Sequence, residues 1–301
     1  MLSLVLILIA AVFFTGIINR TKSIFSGRKG PGILQPVKDV IRLFRKGAVY
    51  SRTTSFIFQM APAVYLSSVV MAMLVVPFGQ SKGVISFSGD FIFFAYVLAL
   101  GKFFNIIAAL DTGSSFEGMG ASREALFSMF AEPAFFILIG SLALLTGYTS
   151  FYEIFAAFHV GSPVSYALAV LAAFVLIMIT MIENSRMPID DPKTHLELTM
   201  IHEVMILDYS GFDLGLIFTA GLLKFAIYGA LIVNLFIGIF PYEYSIPMFF
   251  AIQFVTAVLI GAVESFMARF RMNHNAQFIF ALTSVSLLIF LGALLILGKF
   301  V

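Results

Sequence analysis

The fold class this sequence predicts is an all-α, polytopic membrane protein. Three observations predict it: the composition, the number of long apolar runs, and the side on which positive charge collects. Of the 301 residues, 60% are apolar and 11% are charged, where a soluble domain carries ~25% charged residues. There are 36 Phe, 14 Met, no Trp and no Cys. This composition excludes a soluble enzyme, a disordered chain and a disulfide-stapled secreted domain. The absence of Cys also excludes an iron–sulfur cluster or thiolate-bound metal held by this chain alone.

A bilayer core of ~30 Å needs about 20 mostly apolar residues in a helix. Eight runs qualify, at residues 2–18, 56–78, 91–110, 125–146, 165–182, 215–238, 246–263 and 276–297. Each is continuous, without the ten-residue alternation of a barrel strand, so all eight are read as helices. The first lacks a charged segment before it and is followed by a basic one. That is the reverse of a secretory signal, and the run is read as a retained helix. Pro62 and Pro133 interrupt the second and fourth runs. No matching breaks appear later, so the inverted repeat of many transporters is not indicated.

Lys and Arg set the orientation. Residues 19–55 hold nine of them, and the other loops on that side add Arg123, Arg186, Lys193, Arg269 and Arg271, making fourteen of eighteen. The opposite side has Lys82 and Lys299. The odd-numbered loops are therefore expected in the cytoplasm, with both termini outside. The chain reads as one transmembrane domain, 1–301, with two long cytoplasmic segments at 19–55 and 183–214.

In the first segment a Gly27-Arg-Lys-Gly-Pro-Gly32 turn precedes Val37, Val40, Ile41 and Phe44 at helical spacing, with Lys38, Arg42, Arg45 and Lys46 on the other faces. The pattern suits an amphipathic helix in the interface plane, drawn to anionic lipid; the alternative is an ordinary basic loop. The second segment holds seven of the chain's sixteen acids: Glu183, Asp190, Asp191, Glu197, Glu203, Asp208 and Asp213. Asp191 as N-cap and Pro192 at the first position predict a helix over 193–207. On it Glu197 and Asp208 share one face, and His195 and His202 another. His202-Glu203 begins like a zincin motif, but the second His is absent, and no metal is expected on this chain. The segment is either a solvated, partner-facing polar helix or a proton-handling cluster leading into the membrane.

Three charges fall inside the spans. Counted from the cytoplasmic ends, Lys102, Glu132 and Lys224 lie at depths of about 12, 10 and 14 Å. A charge there costs about 2.5–3.5 kcal/mol or more, so a shared level calls for a reason. Lys102 and Glu132, on consecutive spans, are a candidate pair. Such a pair either only neutralises itself or belongs to a lateral polar file, with Glu183 linking the file to the acidic segment.

Three stretches carry a resemblance. They are Gly30-Pro-Gly-Ile-Leu-Gln-Pro-Val-Lys-Asp39, the long run from Leu110-Asp111 through Glu117 and Arg123 to Glu124, and Glu183-Asn-Ser-Arg-Met-Pro-Ile-Asp190 onward to Asp208-Tyr-Ser-Gly211. The chain resembles the eight-helix heel subunit of respiratory complex I, in the branch found in membrane-bound nickel–iron hydrogenases and formate hydrogenlyase. The resemblance implies a subunit without its own redox centre, joining a cytoplasmic electron-transfer arm to antiporter-like subunits that pump protons or sodium ions. The nickel–iron centre and iron–sulfur clusters would sit in hydrogenase-type large and small subunits. No nucleic-acid partner is expected. The family pattern of an arginine followed nine residues later by a glutamate falls on Arg123 and Glu132. Its Glu-x-x-Arg-x-Pro-x-Asp pattern falls on Glu183, Arg186, Pro188 and Asp190.

Lys102, Glu132, Glu183 and Lys224 are thus the expected buried charges. Asp39, Asp111, Glu117, Arg123, Arg186, Asp190, Asp191, His195, Glu197, His202, Glu203 and Asp208 are expected to face partners. Where complex I has Pro-Glu-Ala-Glu this chain has Pro192-Lys-Thr-His195, and Lys224 replaces a glutamate. Both changes suit a partner that delivers electrons to protons at nickel–iron. A quinone-linked heel subunit is the nearer alternative. A stand-alone ion transporter is the other, and the scarcity of polar groups in the outward halves of the spans argues against it.

Overall fold

The computed structural model describes residues 1–158, 163–190, 200–239, 241–267 and 272–298. Among them the regular structure is helical, apart from one isolated bridge between Phe78 and Ser81. Eight helices are long and apolar enough to cross a membrane. They are α1 (Leu2–Phe25), α3 (Phe56–Val75), α4 (Asp90–Asp111), α5 (Ser115–Thr146), α7 (Pro163–Glu183), α9 (Gly211–Ile237), α10 (Ser245–Phe266) and α11 (Met272–Ile296). They match the eight predicted spans in order. Three short α-helices lie between them, α2 (Gln35–Phe44), α6 (Phe151–Ala157) and α8 (His202–Met205), with one 3-10 turn at Tyr242–Tyr244.

Several helices outrun their apolar cores at the basic end of the bundle. Helix α5 begins ten residues before its predicted span and, at 32 residues, is about 48 Å long. Hydropathy marks the part of a helix that lipid requires. Backbone hydrogen bonding continues past it wherever polar side chains remain solvated or paired. The prolines do not interrupt their helices as the sequence suggested. Pro62 has no N–H to give Phe58 four residues back, and the Tyr209 hydroxyl donates to that carbonyl instead, at 2.9 Å. The Tyr209 ring also stacks on Phe58 at 4.0 Å.

Helix α9 is the centre of the bundle. It packs against α1, α2, α3, α7 and α10, and 72% of its most apolar stretch is buried, against 28% for α11 at the rim. Helix α4 lies on α3 and α5, and α11 lies on α5 and α7. The basic segment does form a helix, α2. Val40 is buried against the bundle while Ile41 and Phe44 remain exposed, and the Phe44 ring meets Phe212 at 5.4 Å. Helix α6 was not expected. The Asp90 carboxylate, fully buried, accepts from the Phe151 amide at 2.7 Å and the Ser150 hydroxyl at 2.8 Å, capping its first turn.

The helix predicted over 193–207 is corrected in part. Residues 191–199, with Asp191, His195 and Glu197, lie outside the described residues. Within the described part, helix begins only at His202 and ends at Met205. The Asp190 carboxylate accepts from the amides of Ile201 and His202, at 3.2 and 3.1 Å, and so starts a new helix there. A Cβ on Gly120 of α5 would lie 2.8 Å from the Ile201 carbonyl, so this short turn sits directly on the α5 backbone.

Candidate functional site

The site is built at the end of α7. The Ser185 amide donates to the Ile182 carbonyl at 3.1 Å and the Arg186 amide to the Met181 carbonyl at 2.8 Å. That pair of bonds is a Schellman cap. Ser185, at φ 49°, occupies the left-handed position that usually belongs to glycine. Glu183 is therefore the last helical residue, and its side chain turns inward. Its carboxylate accepts from Lys102 Nζ of α4 at 2.7 Å and from Lys224 Nζ of α9 at 3.1 Å. Lys224 Nζ also donates to the Glu183 carbonyl at 2.7 Å and to the Tyr65 hydroxyl at 3.4 Å. Lys102 is 8% exposed and Lys224 3%. One carboxylate and one helix C-terminus, where the macrodipole is negative, together hold two buried cations.

This arrangement corrects the expected Lys102–Glu132 pair. Lys102 takes Glu183, and Glu132 has no ion pair among the described residues. Glu132 instead lines a cavity of about 30 Å³ with Lys102, Glu183 and Tyr228. A second cavity of about 10 Å³ joins Lys102 and Glu183 to Glu124, Ser128 and Asp190. These are the sizes of a few water molecules and of one. Glu124 is a member of the cluster that sequence reasoning left unassigned. The signal was present, since Glu124, Ser128 and Glu132 recur every fourth residue on one stripe of α5.

On the basic side, Glu183 also lines a cavity of about 370 Å³ with Tyr65, Asp39, Arg186, His202 and Glu203. Burial pushes the Glu203 carboxyl up to about 7, with the Asp190 charge acting in the same direction. Burial pushes the His202 imidazole down to about 4, helped by the Lys224 charge. At neutral pH His202 is uncharged. The cavity thus carries a carboxyl held well above its usual range by burial, and it shares Glu183 with the buried cluster.

The residues expected to face partners divide. Asp39 and Asp208 are exposed; Asp39 accepts from Gln35 at 2.7 Å. Asp111 accepts from the Ser55 amide at 2.6 Å, and Arg123 donates to the Met200 carbonyl at 2.8 Å. Glu117 and Asp190, each 1% exposed, point inward and fasten this chain to itself. Glu117 accepts from the Thr112 hydroxyl at 2.7 Å and the Asp208 amide at 3.2 Å. Arg186 is buried in a pair with Glu264 at 3.3 Å. Dense acids in a loop read as a solvated surface, but capping and pairing use the same residues. Among the described residues no group of His, Asp or Glu is placed to hold a metal.

The chain is 32% identical to hydrogenase-4 component C of Escherichia coli, over 77% of this chain and 73% of that protein. It is 27% identical to formate hydrogenlyase subunit 4 of the same organism, over 94% of each. It is 25% identical to a subunit of the NADH-quinone oxidoreductase of Methylococcus capsulatus, over 76% and 73%. The fold matches a chain of the membrane-bound sulfane sulfur reductase, an archaeal respiratory membrane complex. That match has a TM-score of 0.80, 21% identity, and coverage of 97% of this chain and 98% of that one. The family model described as NADH dehydrogenase matches residues 1–295, and the protein belongs to that family.

Proposed function

We propose that this protein is the non-catalytic membrane subunit of a multisubunit, redox-driven ion pump of the hydrogenase or formate hydrogenlyase type. It sits in the cytoplasmic membrane of a prokaryote with both termini outside. Its cytoplasmic face meets hydrogenase-type large and small subunits that hold the nickel–iron and iron–sulfur centres. Its lateral faces meet antiporter-like subunits, and the basic face of α2 rests on anionic lipid. The relatives named above support the class of complex.

One observation carries the mechanism: the Glu183 carboxylate is shared by Lys102 and Lys224 where α7 leaves the bundle. Partner redox turnover shifts the 184–208 segment or the proton on Glu203. The altered field at Glu183 then changes how tightly the two lysines are held. Glu124 and Glu132, across water-sized gaps, take up or release the compensating proton. Charges in a low-dielectric site interact strongly enough for this to be a usable signal.

The test is Glu132→Gln in the assembled complex. Ion uptake per hydrogen formed should fall severalfold while hydrogen evolution with an artificial electron donor is kept. Intact pumping would reduce this chain to an anchor. A second reading, a quinone-linked heel subunit, draws on the large cavity beside Tyr65 and on the relative from an NADH-quinone oxidoreductase. Co-purification of a nickel–iron large subunit decides between the two.

A further inference from the structure

Glu264 has no part in the cluster or the cavity described above, yet it is 2% exposed and ionisable. It lies two residues before the end of α10. Its Oε1 is 3.3 Å from Arg186 Nη1 and its Oε2 is 3.5 Å from Lys22 Nζ of α1. The same Arg186 nitrogen donates to Asn19 Oδ1 at 3.4 Å, and the guanidinium lies 5.1 Å over the Phe225 ring. Helices α1 and α10 are in backbone contact here. A Cβ on Gly261 would lie 2.8 Å from Thr21 Cβ and 2.9 Å from the Ile18 carbonyl. Glu264 is therefore fixed in place by the helix pair that carries it.

Arg186 shares the lining of the cavity with a second carboxyl, that of Glu203, which has no ion pair among the described residues. The two are tied to one another through Asp190. The Asp190 amide donates to the Arg186 carbonyl at 3.3 Å, and its side chain caps the turn that carries Glu203. One guanidinium thus stands between two carboxyls, and the fold assigns it to the one behind the cavity wall. We propose that Glu264 is a positioning residue: by holding Arg186 against α10 it withholds that positive charge from the Glu203 carboxyl.

Buried pairs make this a strong constraint, since a guanidinium that loses its carboxylate is left as an uncompensated charge, and Glu203 is a carboxyl on the wall of the same cavity. Burial and Asp190 raise the Glu203 pKa, and Arg186 already pulls it the other way from its present distance. The other charged groups on the surrounding elements are Lys22 of α1, Asp39 of α2, Lys102 of α4, Arg123 of α5, Glu183 at the end of α7, Asp190 beyond it, His202 of α8 and Lys224 of α9. All but Lys22 keep the contacts given above in Glu264→Gln or are uncharged at neutral pH; Lys22 also loses that carboxylate, but its side chain is 20% exposed and keeps solvent. The inference deepens the proposed coupling role of this region and rests on it for its consequence in pumping. The arrangement itself is read without turnover.

The experiment is a pH titration of the purified complex by difference infrared spectroscopy, following the protonated-carboxyl band that Glu203→Gln removes. In the parent complex that band should titrate near pH 7. In Glu264→Gln its midpoint should fall by at least about one unit, a tenfold change in proton affinity. Glu264→Asp should shift it less, in the same direction. An unchanged or raised midpoint in Glu264→Gln overturns the proposal, as does a parent band that does not titrate near 7. If Glu264→Gln fails to assemble, Glu264→Asp decides alone: an acid shift supports the proposal, and no shift, or failure to assemble as well, makes Glu264 merely structural. An acid shift without change in ions moved per hydrogen supports the positioning role and tells against the coupling reading.

Discussion

Replacing Glu183 by glutamine keeps the volume of the side chain and removes the negative charge from between two ammonium groups. In the native protein that carboxylate is 2.7 Å from Lys102 and 3.1 Å from Lys224. Removing one partner of a buried pair costs about 3–5 kcal/mol. The alternative is for one lysine to give up its proton. From its usual value near 10.4 to pH 7 that costs about 4.6 kcal/mol, so deprotonation offers no cheaper escape. Either route weakens the folded subunit by a factor of about 10² to 10³·⁵. The two lysines are not equivalent. Lys224 keeps the residue-183 carbonyl at 2.7 Å and Tyr65 at 3.4 Å, whereas no other contact of Lys102 Nζ is seen among the described residues. Glu183→Gln/Lys102→Met should therefore recover more stability than Glu183→Gln/Lys224→Met. The assay is thermal release of this chain from the detergent-solubilised complex. The expected order of midpoints is parent, then the Lys102 double variant, then the Lys224 double variant, then Glu183→Gln. A Glu183→Gln complex as heat-stable as the parent, or a Lys224 double variant that outranks the Lys102 one, refutes this reasoning.

Two further predictions concern the loop and the bundle. Glu203 titrates near 7 when folded and at about 4.3 when unfolded. The folded state therefore binds the extra proton in that window, and Glu203 stability is lost as pH rises through it. His202, lowered to about 4, acts with the opposite sign, and its stability is lost as pH falls from about 6.5. Melting temperature against pH should thus become steeper on the acid side in Glu203→Gln, and an unchanged profile contradicts the assignment. Tyr209→Phe should destabilise by about 1–3 kcal/mol, because the Phe58 carbonyl is left unpaired. Adding Pro62→Ala should restore most of that in a thermal melt by returning the missing amide.

The bundle was legible because lipid imposes a condition that each segment meets alone: enough apolar length to cross, with backbone groups paired internally. Lys102, Glu132 and Lys224 stood out for the same reason, as costly exceptions to it. Which of them would pair was not legible. Glu183 sits at a span end, where an acid needs no explanation, and only the packing of α4 and α9 on the α7 terminus gives it two lysines. Glu264 went unassigned on the same grounds. The predicted helix over 193–207 failed at 200–201 because local periodicity is blind to a cap supplied from Asp190, which lies outside the window. Helix α6 was missed because seven residues are too few for periodicity, and its cap comes from a residue sixty positions earlier.

The placement of Glu183 answers why the charges lie where they do. A carboxylate in mid-helix would meet a lysine with its side chain alone. As the last residue of α7 it offers the carboxylate and an unsatisfied main-chain carbonyl together, and Lys224 takes both. Three of the next six residues are held as well. Ser185 is held at positive φ by the Schellman bonds, Arg186 by Glu264 and Asn19, and the Ile189 carbonyl by Asn275 Nδ2 at 3.2 Å. A non-glycine residue in that conformation persists only where its surroundings over-determine it. The segment that carries Arg186 and Asp190 to the cavity is thus mechanically continuous with the carboxylate that holds Lys102 and Lys224.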